Sequence, residues 1–164
     1  MARLKHLLRA LCALALALPL IGLTGAPASA SPVTTFHAGF SQDCYFAYAR
    51  GILDWNPPTP AAVSEVNAVG VLAHDYAACQ RPPYGTTLAL FTAYAAGARV
   101  DEEYVALAVG RDPLLLPFDL RLSAGEWRRP IDRVDVTVCH STNSLSVRTV
   151  LSCGRTQTLL RPRA

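Results

Sequence analysis

Between Ile131 and Leu160 hydrophobic and polar positions alternate, with Val134, Val136 and Val138 separated by Asp135, Thr137 and Cys139. A two-residue period marks a strand with one buried face. After Cys153 the run Arg155 to Leu160 is again extended in character. Pairing Cys139 with Cys153 would set Thr137 opposite Arg155 and Asp135 opposite Gln157, and would close the base of an excursion from His140 to Ser152. A tight turn at Thr142 and Asn143 would instead leave Cys153 about seven residues past its partner, roughly 23 Å along a strand. Disulfide Cα atoms lie within about 7 Å, so that turn is excluded if the two are bonded.

The same pattern predicts further strands upstream. Phe118, Leu120 and Leu122 alternate with Asp119, Arg121 and Ser123, and Thr86 to Ala95 is a nearly continuous apolar run suited to burial on both faces. Tyr104 to Val109 follows an acidic turn at Asp101, Glu102 and Glu103. Cys44 to Arg50 reads as a strand ending at Gly51, and Ser31 to Gln42 as an arm or first edge strand. Pro57, Pro58 and Pro60 remove backbone donors, so Ile52 to Pro60, Trp55 included, reads as an exposed connection. Ala61 to Gln80 is open to two readings. Val63, Val66, Val69 and Tyr76 align on a helix face, while Gly70 and the β-branched residues favour a strand over Val66 to Tyr76, the reading adopted. Seven to eight short strands punctuated by Gly and Pro predict an all-β fold, a single antiparallel sandwich.

Residues 1–30 stand apart. Arg3, Lys5 and Arg9 precede the apolar run Leu11 to Leu23, and Ala28, Ser29 and Ala30 form a small-residue box. This is the layout of a Sec-type signal peptide, with cleavage expected after Ala30 and one secreted domain over residues 31–164. Of the 15 Lys and Arg residues in the chain three lie in the leader, which leaves 12 arginines against 12 carboxylates. That balance argues against nucleic acid, and no later apolar stretch argues for a membrane. Arg148, Arg155, Arg161 and Arg163 fall in a carboxylate-free terminal stretch and read as solvated. Cys44, Cys79, Cys139 and Cys153 remain, an even number in an exported chain. Of three connectivities, Cys44 with Cys79 and Cys139 with Cys153 is preferred.

Candidate chemistry is sparse. Zinc is disfavoured because no Cys-x-x-Cys pair occurs, and the calcium-loop pattern is missing at Asp101 to Glu103. No Gly-x-Ser-x-Gly elbow is present, and the histidines after the leader are His37, His74 and His140. A hydrolase would have to use His140, beside Ser141 and near Asp135, or His74, whose neighbour Asp75 points to the other face of a strand. Trp55 and Trp127 could be sugar platforms but more commonly pack in cores or loops. The disulfide-based excursion forms a possible interaction loop carrying His140, Asn143 and Arg148, and Arg148 could be presented to a trypsin-like protease as an inhibitor would present it.

The leader, the segment VGVLAHDYAAC and the ending DVTVCH…LSCGRTQTL resemble small exported immunoglobulin-like β-sandwich proteins of high-GC bacteria. The resemblance implies a fold and carries over no catalytic residue. Bacterial protein protease inhibitors are similar in size and cysteine count. The expected function is a non-catalytic secreted domain that binds an extracellular protein or envelope component, without a cofactor. The alternatives are the small hydrolase and the inhibitor.

Overall fold

The structure, a computed structural model, describes residues 32–55, 65–76, 79, 84–110, 115–125, 129–141 and 152–162. Residues 31–164 form one compact unit. Residues 1–30, Trp127, Asn143 and Arg148 lie outside the described residues.

The described residues form nine strands: β1 (Val33–Gln42), β2 (Tyr45–Trp55), β3 (Glu65–Asp75), β4 (Gly85–Ala95), β5 (Ala98–Val109), β6 (Leu115–Ser123), β7 (Arg133–Ser141), β8 (Ser152–Cys153) and β9 (Gln157–Leu160). One sheet has the order β1-β2-β3-β6, the other β5-β4-β7-β8, with β9 also on β7, and all pairings are antiparallel. This is the expected all-β sandwich. It has two packed sheets, and β1, β2 and β3 form a three-strand meander. Both preferred disulfides are present, with Cα separations of 5.1 Å for Cys44–Cys79 and 4.0 Å for Cys139–Cys153. Closing chain spans of 35 and 14 residues, they contribute about 4 and about 3 kcal/mol by the chain-entropy model.

The ninth strand arises from a slip in register. Cys139 does pair with Cys153, yet Gln157 faces Val136 and Thr158 faces Asp135, one residue away from the expected pairing. The extra residue lies in Gly154 to Thr156, where the Gly154 N–H donates to the Val138 carbonyl at 2.9 Å. The slip puts Leu159 opposite Val134, on the core face, where it is buried; the unslipped register would have turned it outward. Gly154 also lies hard against β1, since a Cβ there would come within 1.9 Å of the Gly39 carbonyl oxygen. Gly97, in the β4–β5 turn, has φ +84° but no atom within 4 Å of a notional Cβ. Gly154→Ala is therefore expected to destabilise by about 2 kcal/mol or more through overpacking. Gly97→Ala should cost about 1–2 kcal/mol through its backbone alone, and paired urea melts check the order.

Three other expectations are corrected. Strand β2 does not stop at Gly51 but runs on to Trp55, which is 1% exposed. Gly51 faces Gly70 across the ladder, and a Cβ on Gly51 would meet the Val69 carbonyl oxygen at 2.1 Å and Phe36 at 2.9 Å. Missing side chains there admit the Phe36 ring, which packs edge-on to Phe91 at 5.6 Å and stacks on Phe118 at 6.3 Å. Asp101 to Glu103 are in β5, not a turn, because the chain reverses earlier at Ala96 and Gly97, both at positive φ as a two-residue hairpin requires. Asp101 bridges the sheets, its Oδ2 accepting the Ser123 N–H at 2.7 Å.

The remaining core follows from alternation. Val134, Val136 and Val138 of β7 meet Leu53, Trp55, Val66, Leu72 and Leu122 of the opposite sheet in one buried cluster. At the other margin Gln157 reaches from β9 to accept the His37 N–H at 2.7 Å, so each pair of sheet edges is tied by a side chain.

Candidate functional site

Extending the alternation of β7 one step beyond Val138 puts His140 on the core face, and the same period carries Leu72 to His74 on β3. His140 is thus a buried strand residue, not part of an exposed loop. In the ladders His140 faces Thr87 and His74 faces Ala47. The two histidines meet around Tyr45, whose ring centroid is 4.8 Å from His140 and 6.1 Å from His74. Tyr45 and Thr87 share a hydrogen bond between their hydroxyls, and Thr87 Oγ1 lies 3.3 Å from His74 Nδ1. The chain closes in either sense, with Tyr45 donating to Thr87 and Thr87 to His74 Nδ1, or with His74 Nδ1–H donating to Thr87 and Thr87 to Tyr45. Neither His74 Nε2 nor His140 Nδ1 has a hydrogen-bond partner among the described residues.

Burial is the main perturbation at each group. It lowers the His74 and His140 pKa values from the usual 6.5 and raises that of Tyr45. At His74 the proximity of His140 adds to the lowering, and Asp75 partly offsets it. The Thr87 hydrogen bond partly offsets the rise at Tyr45. Chemically this is a hydroxyl next to an imidazole, the beginning of a hydrolytic relay. Thr87, however, is fully buried and Ser141 lies on the opposite face of β7, itself buried. Both hydroxyls are closed off from solvent, and the arrangement is a packed polar layer at one end of the core.

The outer face of the four-stranded sheet is different. Alternate residues of β2 point outward there: Phe46, Tyr48, Arg50, Ile52 and Asp54. Beside them Val69 and Val71 project from β3 and Leu115 and Pro117 from β6. Phe46, Ile52, Val69 and Leu115 are 44%, 40%, 42% and 41% exposed. Near the β1 edge the face sinks into a hollow of about 590 Å³ floored by backbone at Gly51 and Gly70, with His37, Arg50 and Gln157 at its rim. A second hollow, about 570 Å³, adjoins it along β1 and is lined by Arg155, Thr156 and Thr158. His37 and Gln157 belong to both.

None of this face was singled out from the sequence. The signal was present in FAYARGILD, where aromatic, cationic and apolar residues fall at every second position, but it ends early if Gly51 is taken as a stop. Among the described residues no group of three or more His, Cys, Asp or Glu could hold a metal, and no helix is long and apolar enough to cross a membrane. Protein-family models, curated proteins and solved structures yield no match to this chain.

Proposed function

We propose that the chain is an exported, non-catalytic domain that binds an extracellular macromolecule or a component of the cell envelope through the outer face of β1-β2-β3-β6. The observation that carries this reading is the set of large apolar side chains left at 40% exposure or more on that face. Contiguous apolar surface rimmed by polar groups marks interaction sites in otherwise soluble domains. Export fits the two disulfides, which persist in oxidising compartments. On this reading residues 1–30 are the leader, cleaved after Ala30, and the immunoglobulin-like outline is a scaffold for the face. Sealing of His74, His140 and Thr87 inside the core favours binding over hydrolysis.

The test uses the mature chain and isolated cell-wall sacculi or intact cells. Wild-type protein is expected to be retained, and Phe46→Ser with Val69→Ser to reduce retention at least tenfold with little change in melting temperature, since both side chains lie on the outer face and outside the core cluster. Equal retention of a folded double variant would rule the face out. Mass spectrometry of exported material should show a start at Ser31 and no free thiol.

A further inference from the structure

We infer that the trough formed by the two adjoining hollows is a binding site for an acidic glycan, a polyhydroxylated chain bearing phosphate or carboxylate groups. The inference rests on the binding reading above and names its ligand class. Three basic side chains converge on the trough. His37 and Arg50 are cross-strand partners on the outer face, and Arg155 approaches from the β8–β9 link. No Asp or Glu lines either hollow. Asp54, Glu65, Asp75 and Asp119 share the outer face but fall in other cross-strand rows.

The arginines are also unneutralised. Ion pairs among the described residues engage Arg99, Arg121 and Arg133, and neither Arg50 nor Arg155 is among them. Arg50 is instead held over the Tyr48 ring at 5.6 Å, and His37 packs edge-on to the same ring at 5.9 Å. An arginine oriented by an aromatic face and lacking a carboxylate is preorganised for an oxyanion. Arg155 belongs to a terminal stretch, from Ser141 onward, that contains no carboxylate.

The rest of the lining chooses the carrier of the charge. Thr35, Thr158 and the Gln157 amide offer hydrogen bonds to hydroxyls, while Ile52 and Val71 offer apolar contact to the C–H face of a sugar ring. Volumes near 590 and 570 Å³ are in the range of small-ligand sites and suit a few glycan units. A nucleic acid would demand a longer basic track than three side chains.

Binding of the mature chain to four immobilised polymers tests this: polyglycerol phosphate, polygalacturonate, neutral dextran and single-stranded DNA. Binding to one of the first two, weakened by salt, is expected, and which of the two binds identifies phosphate or carboxylate as the anion. Arg50→Gln with Arg155→Gln should weaken it at least tenfold without changing the melting temperature, while Arg99→Gln, on the other sheet, should leave it unchanged. Equal binding to dextran or to DNA, or a folded double variant with wild-type affinity, would overturn the inference. If both acidic polymers fail to bind while sacculi still retain the protein, the ligand class is wrong and the binding reading survives. Failure on all surfaces removes both.

Discussion

Trp55→Ala is expected to lower the free energy of unfolding by about 3–5 kcal/mol, the range for emptying a buried aromatic site. Trp55 closes β2 at 1% exposure, opposite Val66, in the same cluster as Leu53 and Leu122. Its indole N–H donates to Thr34 Oγ1 at 2.9 Å, and its backbone N–H donates to the Pro32 carbonyl at 3.0 Å. The ring therefore ties the start of β1 to the end of β2 as well as filling volume. Thr34→Val, which removes the acceptor and keeps the shape, should cost only about 1 kcal/mol. Urea denaturation separates the two: a Trp55→Ala cost below about 1 kcal/mol would mean a tryptophan of the kind found in exposed connections.

That residue also shows where sequence reading stops. Proline at positions 57, 58 and 60 says that no central strand passes through them, but it removes no donor at Trp55, whose backbone N–H still bonds the Pro32 carbonyl. Gly51 added to the error. Glycine punctuates chains because of its conformational freedom, but here it serves by lacking a side chain where Phe36 must fit against Gly70, a requirement set by residues far away in sequence. Strands were legible wherever one face was buried alone, as for Phe118 to Ser123 and Val134 to Val138, because period-two alternation is local. The β3 strand was legible through its β-branched residues despite a competing helical face.

Register past Cys153 was not legible, since an inserted residue leaves no composition signal and is detectable only from which leucine is buried. Asp101 illustrates the same limit, because its carboxylate serves β6 across the gap between sheets, and in sequence it is simply the first of three acids. The trough needs β1, β2 and the β8–β9 link together, elements from both ends of the domain. Both core histidines could have been located by carrying the alternation one step further along each strand. Their meeting could not, because it depends on how the two sheets face one another.

The meeting of His74 and His140 leads to the second large effect: stability should fall steeply between pH 7 and pH 5. Both pKa values are lowered in the folded state, chiefly by burial, so the folded chain binds fewer protons than the unfolded chain below the ordinary value of 6.5. Stability from this source is complete above that value. It is lost as pH falls below it, and the loss continues until pH passes the folded-state pKa values. Each histidine contributes a slope of at most about 1.4 kcal/mol per pH unit in that window. The groups that face the pair do not compensate. Phe40 from β1, Tyr45 from β2 and Thr87 from β4 are neutral, Tyr45 more firmly so because its pKa is raised, and Asp75 offsets only part of the lowering at His74. Charge on His140 further disfavours protonation of His74. Urea melts at pH 7.5, 6.5 and 5.5 should show the decline, and His140→Phe, whose ring can stack on Phe40 as the imidazole does, should about halve its slope. A stability independent of pH across that range, or a slope untouched in the variant, would show that the cluster takes up protons without opening.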